Sequence, residues 1–240
     1  LASTLMKDAS IPGMVVSKIE NGALIHTGTY GYADIENKRP VTKDTLFNIA
    51  SVSKPIMGVV LMQLVDQHKI GLDDDINRYL PFKIDNPHVD DEIITLRHLA
   101  SHTSGLEDYY DYASFHPNGD SPTSLQAHLA SLLTPSGDLY QEGKYYSNNR
   151  PGTHRQYSNL GAGVAGQVVE GITGKTLAEY SRLTLFKQTG MTNTSWLLHD
   201  LNTGEIAVSY QLDADTKALT ALPHYGNPQY PDGGIRTSIT

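Results

Sequence analysis

Ser51 and Lys54 are the residues whose types and spacing best suit covalent chemistry. They stand where an extended segment, residues 47–50, gives way to an apolar helix. Residues three apart share one face of a helix, so the Lys54 side chain can reach the Ser51 hydroxyl. The N-terminus of a helix also offers free backbone N–H groups and a partial positive charge, which stabilise a developing oxyanion. The pair therefore predicts a nucleophilic serine that a lysine activates.

The residues after Ser51 predict the element that holds this serine in place. The segment is rich in large aliphatic side chains, namely Val59, Val60, Leu61, Leu64 and Val65. Such a helix is expected to be buried in the core, and Pro55 falls in its first turn, where the missing N–H costs little. A serine and a lysine at this spacing also occur at ordinary capped helix starts, so further motifs must decide between catalysis and capping.

A tyrosine and an asparagine in the segment 151–159 form a second candidate group. A lysine ammonium beside a tyrosine favours the phenolate, so Tyr157 could carry protons between a serine hydroxyl and a leaving group. The Asn159 amide could hold a substrate carbonyl and orient Lys54. An earlier copy, Tyr146-Ser147-Asn148, has the same letters. We favour the later copy because Pro-Gly precedes it and a helix follows it at once.

Two further segments are less informative. Residues 97–106 predict a helix that ends in a hydroxyl-rich loop, which we interpret as a C-terminal cap. Gly233 and Gly234 could let the backbone approach a substrate closely, although a plain turn accounts for them equally well.

The elements around these groups predict a single α+β domain over residues 1–240. Residues 1–70 should hold a hairpin, turning at Asn21-Gly22, and the nucleophile helix. Residues 71–200 should be a mostly helical subdomain, and residues 201–240 should return to the first part. We find no repeats and no low-complexity linker.

Composition excludes several classes of function. The chain has 18 basic and 26 acidic residues, a formal net charge of −8, which argues against nucleic acid or an anionic membrane surface as the partner. There are no cysteines, which rules out disulfides, thiolate catalysis and cysteine–zinc sites. No apolar run approaches the roughly 20 residues that span a bilayer, and no cofactor is implied.

The first residues of the sequence are informative about the cellular compartment of the protein. The sequence begins at Leu1 without a basic n-region and an apolar h-region, so we expect that a signal peptide was removed or that the sequence was trimmed. We expect a periplasmic or secreted protein, with the cytoplasm as the alternative.

The ordered set of motifs resembles the serine β-lactamase-related family, which holds class C β-lactamases, D-alanyl-D-alanine carboxypeptidases and penicillin-binding-protein-like esterases. The resemblance runs from about Pro12 to Thr240 and includes the S-x-x-K arrangement. It is carried, in chain order, by F-N-I-A-S-V-S-K, L-D-D-x-I-x-x-Y-L-P, I-T-L-R-H-L-A-S-H-T-S-G-L and P-G-T-x-x-x-Y-S-N-L-G.

The resemblance implies a β-lactamase/transpeptidase-like fold, an α/β sandwich with a helical subdomain, and a serine hydrolase. Ser51 would be the acylated nucleophile, Lys54 its activating partner, Tyr157 the general acid/base and Asn159 a substrate-positioning group. The substrate would be a β-lactam, a D-Ala-D-Ala peptide or a small ester. Tyr-Ser-Asn in place of Tyr-Ala-Asn favours the peptidase and esterase branches.

The sequence departs from the family after Gly234. Family members carry a third motif, His/Lys-x-Gly, on a later strand, and the residues up to Thr240 do not supply it. Several strands that would join the N-terminal hairpin are also not found. We therefore expect the sequence to be a fragment whose missing portion is lost, disordered, cleaved or supplied by another chain, and which on its own is inactive.

Three alternatives to a serine hydrolase of this family can be compared with the sequence. His98 and His102 are four apart, as zinc ligands on a helix can be, but no H-E-x-x-H and no third ligand accompany them. An α/β-hydrolase triad would need a G-x-S-x-G elbow, which the sequence does not contain. A non-catalytic relative that binds peptide or cell-wall fragments stays open.

Overall fold

The computed structural model describes residues 2–240, which begin with a helix and an antiparallel hairpin. Helix α1 is Ala2–Asp8, strand β1 is Gly13–Glu20 and strand β2 is Ala23–Asp34. The hairpin turns at Asn21 and Gly22, which both have positive φ, at 51° and 76°. Such angles match the twist of the flanking strands. The predicted hairpin is confirmed, whereas α1 was not predicted.

The remaining elements are a helical body with short strand pairs. In chain order they are β3 (Arg39–Pro40), β4 (Phe47–Asn48), α2 (Ser53–Asp66), α3 (Leu96–Ala100), β5 (His116–Pro117), α4 (Leu125–Leu133), α5 (Asn159–Thr173), α6 (Leu177–Ser181), α7 (Lys187–Thr189), β6 (Ser209–Leu212), β7 (Leu219–Leu222), β8 (Tyr225–Gly226) and β9 (Arg236–Thr237). The strands pair antiparallel as β1–β2–β3, β4–β9, β5–β8 and β6–β7.

The end of helix α2 is set by a left-handed residue. The helix ends at Asp66, because His68 adopts a left-handed conformation with φ 56°. The Lys69 N–H then closes the turn on the Leu64 carbonyl at 3.0 Å.

Helix α6 begins with the capping-box sequence Thr176-Leu177-Ala178-Glu179, which is only half formed. The Thr176 hydroxyl accepts from the Glu179 N–H at 3.1 Å, but the Glu179 carboxylate pairs with Lys175 instead of returning to the cap.

Helix α5 forms the centre of the core and brings a distant turn to the site. Its residues from Leu160 to Val169 are buried. An added Cβ at Gly163 would lie 2.8 Å from Gln229, and one at Gly166 would lie 2.4 Å from Pro231. Glycine at these positions therefore lets the 3₁₀ turn Tyr230–Asp232 pack closely against α5.

The end of the described chain returns to the segment before the candidate nucleophile. Strand β9 pairs with β4, with Phe47 opposite Thr237 and Asn48 opposite Arg236. The Ile49 N–H also donates to the Ile235 carbonyl at 3.0 Å. The β6–β7 hairpin was not predicted from the sequence.

Candidate active site

The Ser51 side chain is presented by a strained turn rather than by the helix itself. Ser51 lies in a 3₁₀ turn, Ala50–Val52, and α2 begins only at Ser53. Ala50 has φ 45°, an unusual value for a residue with a side chain, and its N–H donates to the Asn48 side chain at 3.0 Å. Strain of this kind persists where surrounding contacts fix it, and here it leaves the Ser51 hydroxyl exposed.

The four polar residues predicted from the sequence meet at this turn. The Ser51 Oγ lies 2.7 Å from the Tyr157 Oη, and the Lys54 Nζ donates to the Ser51 Oγ at 3.2 Å. Lys54 also donates to the Asn159 Oδ1 at 2.7 Å and to the Asp232 carbonyl at 2.5 Å. These contacts engage the three N–H groups of an ammonium, so Lys54 is held as a charged donor.

The Lys54 charge also faces the tyrosine. Its Nζ lies 4.9 Å from the centroid of the Tyr157 ring, within the range of a cation–π contact. A positive charge at this distance attracts negative charge that develops on the Tyr157 side chain during a proton transfer. Because Lys54 donates to the Ser51 oxygen, the Ser51 O–H is free to donate to Tyr157. The arrangement can therefore draw a proton from the serine.

His102 also belongs to the site. From the sequence, its segment was interpreted as the C-terminal cap of a helix. The His102 ring lies 4.7 Å from the Tyr157 ring, its carbonyl accepts from the Gln156 N–H at 2.8 Å, and its Nδ1 accepts from the Ser158 N–H at 3.3 Å. Burial, aided by the charge of Lys54, lowers the pKa of His102. A neutral imidazole thus holds the backbone on both sides of Tyr157.

Asp108 was also missed, and it fixes the orientation of Asn159. One carboxylate oxygen accepts from the Asn159 backbone N–H at 2.7 Å and the other faces the side-chain Nδ2 at 3.4 Å. The amide nitrogen therefore points at Asp108 and the amide oxygen at Lys54. Asp108 stands in a loop without a local motif, so only the folded structure shows this role.

Asp232 places a buried carboxyl group near Lys54, which donates to the Asp232 backbone carbonyl. The Asp232 side chain is 2% exposed and accepts from Asn227 at 3.1 Å and from Gln229 at 3.2 Å. Burial raises the pKa of Asp232 from 3.8 to about 6, against the opposing attraction of Lys54. The Oε1 of Gln229 has no hydrogen-bond partner among the described residues. With the side-chain amide flipped, this oxygen would accept a hydrogen bond from the protonated carboxyl group of Asp232.

The raised pKa of Asp232 predicts a pH-dependent stability. From about pH 4 to pH 6 the folded protein keeps this proton while the unfolded chain releases it, so the free energy of unfolding falls as pH rises. At pH 8 we expect Asp232→Asn to raise the free energy of unfolding by up to about 3 kcal/mol. Near pH 3 the two proteins should be equally stable. Thermal unfolding at both pH values checks this, and equal melting temperatures at pH 8 would contradict it.

The two glycines predicted to contact substrate differ in position. Gly233 lines a pocket of about 320 Å³ together with Ala50, Ser51 and Asn159. An added Cβ there would lie 3.2 Å from the Ala50 backbone, so the glycine keeps the nucleophile turn close. Gly234 does not line this pocket; it is buried, and a Cβ there would lie 2.7 Å from the Tyr230 carbonyl. Gly234 is therefore a packing residue.

The rejected alternatives are also placed by the structure. Tyr146 of the earlier Tyr-Ser-Asn copy is buried and donates to the Leu133 carbonyl at 2.8 Å, away from Ser51. His98 accepts from the Thr95 N–H at 3.2 Å in a capping box. Across residues 2–240, no group of three or more histidines or carboxylates is arranged to hold a metal ion. Nor is any helix of that part long and apolar enough to cross a membrane.

Comparisons with known proteins agree with this geometry. A family model described as Beta-lactamase matches residues 1–240. Protein flp of Staphylococcus aureus (strain MRSA252) is 25% identical over 97% of this chain and 44% of its own length. Penicillin-binding protein 4* of Bacillus subtilis (strain 168) is 29% identical over 81% of this chain and 40% of its own. This chain thus spans less than half the length of these curated relatives.

A solved structure supports the fold. The octameric penicillin-binding protein homologue from Pyrococcus abyssi superimposes with a TM-score of 0.76 at 22% identity, over 99% of this chain and 52% of that one. The predicted β-lactamase/transpeptidase-like fold class is confirmed.

Proposed function

Because this chain belongs to the Beta-lactamase family of serine hydrolases, we propose that it hydrolyses an amide or ester through an acyl-enzyme on Ser51. The observation that carries this proposal is the contact of the Ser51 Oγ with two groups at once, the Tyr157 Oη at 2.7 Å and the Lys54 Nζ at 3.2 Å. A hydroxyl nucleophile needs such an adjacent base to become reactive.

In the first half of the reaction, the Ser51 Oγ attacks the substrate carbonyl and its proton passes to the Tyr157 oxygen. The Ser51 backbone N–H, at the start of the turn before α2, stabilises the oxyanion. Tyr157 then gives the proton to the leaving amine or alkoxide as the carbonyl–heteroatom bond breaks. Ser51 is left as an ester, and Lys54 keeps its charge throughout.

In the second half, water attacks this ester. Tyr157 accepts a proton from the water and returns one to the Ser51 oxygen as the acyl product leaves, which restores the starting state. The Asn159 amide serves in both halves, because it holds Lys54 and lies on the wall of the substrate pocket.

The substrate class follows from the chemistry that the site supports. A β-lactam, a D-Ala-D-Ala-type peptide and a small ester each present a carbonyl that an activated serine can attack. The Bacillus subtilis relative is a penicillin-binding protein by name, which supports a penicillin-binding role for this chain. Release of p-nitrophenol from p-nitrophenyl acetate, loss of benzylpenicillin absorbance and D-alanine release from a D-Ala-D-Ala peptide would separate these candidates. Turnover of none of the three would contradict the proposal.

Tyr157→Phe tests the proton carrier. We expect acylation of the purified protein to slow by roughly 100- to 10,000-fold, because the base that faces the Ser51 Oγ is removed while the ring and its contact with His102 stay. Stopped-flow release of p-nitrophenol measures the acylation rate.

Tyr146→Phe is the matched control, since it removes the same hydroxyl from the other Tyr-Ser-Asn copy. It should lower stability by about 1 kcal/mol through the lost bond to the Leu133 carbonyl, with an unchanged acylation rate. A wild-type rate in Tyr157→Phe would remove Tyr157 from the mechanism.

A further inference from the structure

The pocket beside Ser51 has a wall that the proposed reaction does not use. Beyond the nucleophile turn, Asn159 and Gly233, it is lined by Tyr110, Tyr112, Tyr225 and two carboxyl groups, Asp108 and Asp232. Asp232 is buried and bonded to Asn227 and Gln229, so Asp108 is the exposed carboxylate of the wall. Among the lining residues in the described part of the chain there is no lysine, arginine or histidine. The wall therefore combines a carboxylate with aromatic rings, which is the chemistry that recognises a cation.

Asp108 keeps capacity to bind a further donor. Its two carboxylate oxygens each face one nitrogen of Asn159, whereas an ionised carboxylate offers about four lone-pair positions. The residue is exposed, and within residues 2–240 no basic side chain forms a salt bridge with it. A cation entering the pocket would thus meet a carboxylate that no basic side chain of the described residues contacts directly.

The aromatic part of the wall is braced. The Tyr110 and Tyr112 rings meet edge to face at 4.9 Å, and Tyr110 meets Phe115 at 5.3 Å. Phe115 in turn stacks on Tyr225 at 4.8 Å. Edge-to-face and stacked contacts of this kind hold rings in defined orientations, so a ring face can be presented to a ligand without first being ordered.

The Asp108 carboxylate and Ser51 line the same pocket and are joined by successive contacts. Ser51 contacts Lys54 at 3.2 Å, Lys54 contacts Asn159 at 2.7 Å, and the Asn159 amide nitrogen lies 3.4 Å from Asp108. One small molecule can therefore place a carbonyl at Ser51 and a positive group at Asp108 at the same time.

We propose that the preferred acyl donor carries an ammonium group in its acyl part, bound between the Asp108 carboxylate and the rings of Tyr110 and Tyr112. An aminoacyl ester and a peptide with a free amino-terminal residue at the scissile bond both meet this description. The proposal rests on the proposed function, since it needs Ser51 to be the group that attacks the carbonyl.

The test uses two boronic acids, because boron forms a reversible bond with a nucleophilic serine oxygen. The probes are 3-(aminomethyl)phenylboronic acid and 3-ethylphenylboronic acid, which differ by an ammonium in place of a methyl group. Calorimetry of the purified protein at pH 7 gives both dissociation constants. We expect the ammonium probe to bind roughly 5- to 10-fold more tightly.

Variants separate charge recognition from positioning. In Asp108→Asn, an oxygen remains to accept from the Asn159 N–H, and the ratio of the two dissociation constants should fall to about one. This ratio is the readout, because a change in Asn159 alone would alter the binding of both probes together. Asp111→Asn removes the same charge from a residue outside this pocket, whose carboxylate instead caps the Ala113 N–H, and it should keep the preference.

Each outcome decides one point. Equal binding of the two probes, or a preference that survives in Asp108→Asn, would overturn the substrate class and leave the Ser51 nucleophile standing. If Asp108→Asn and Asp111→Asn reduce the preference equally, the preference is an effect of net charge, and the proposal is also overturned. If neither probe binds, the proposed function fails and this inference fails with it.

Discussion

Replacing Ser51 with alanine is expected to abolish acylation and to lower turnover of the hydrolysed ester or amide by at least about 1,000-fold. The Ser51 Oγ is the atom that meets both Tyr157 and Lys54, and alanine leaves these groups without a nucleophile to activate. The side chain is exposed, so the fold should stay intact. Turnover kinetics together with thermal unfolding of the variant measure the two effects separately.

Ser53 provides the matched control within the same four residues. Unlike Ser51, it is fully buried, and its hydroxyl accepts from the Ile235 N–H at 3.1 Å. Ser53→Ala should leave a buried N–H unsatisfied and lower the free energy of unfolding by about 1–3 kcal/mol, while acylation persists. Retained turnover in Ser51→Ala would rule out the acyl-enzyme mechanism.

Replacing Lys54 with alanine should have the second largest effect, a loss of roughly 100- to 10,000-fold in the acylation rate. Three contacts disappear together, those with Ser51, Asn159 and the Asp232 carbonyl. Tyr157 also loses the positive charge that faces its ring. The same stopped-flow measurement of p-nitrophenol release applies.

Lys144→Ala is the control for a general effect of removing a cation near an aromatic ring. Its Nζ lies 5.4 Å from the centroid of the Tyr145 ring, on an exposed side chain outside the site. This variant should acylate at the wild-type rate. A wild-type rate in Lys54→Ala as well would exclude Lys54 from the mechanism.

Loss of the Lys54 charge should also change the titration of Asp232. The positive charge opposes the effect of burial on that carboxyl group, whose pKa is already raised to about 6. Without Lys54 the carboxyl group should stay protonated to a higher pH, because the charged form loses its partner. The stability difference between Lys54→Ala and the wild-type protein should therefore depend on pH.

The contact between Ser51 and Lys54 could be predicted from the sequence because the two residues are near in the chain. Ser51 and Lys54 are three residues apart, so helical geometry alone brings them into range. Tyr157 is separated from Ser51 by 106 residues, and local pattern gave no means of pairing them. The family resemblance supplied that pairing, whereas the Pro-Gly before Tyr157 and the helix after it separated Tyr157 from the identical motif at Tyr146.

The supporting residues could not be predicted, because they act through the backbone or through burial. His102 holds the N–H groups on both sides of Tyr157, and Asp108 holds Asn159. Neither role depends on a pattern in the surrounding residues. Asp232 is 178 residues from Lys54 and reaches it because the glycines of α5 admit the turn that carries it.

The measurement that tests the central claim most directly is the location of the acyl group. The protein is mixed with p-nitrophenyl acetate, quenched in acid within the first turnover, and examined by intact mass and by peptide mapping. We predict a mass increase of one acetyl group, on the peptide that contains Ser51, and no such increase in Ser51→Ala. An acetyl group on another residue, or an equal increase in Ser51→Ala, would contradict the proposed nucleophile.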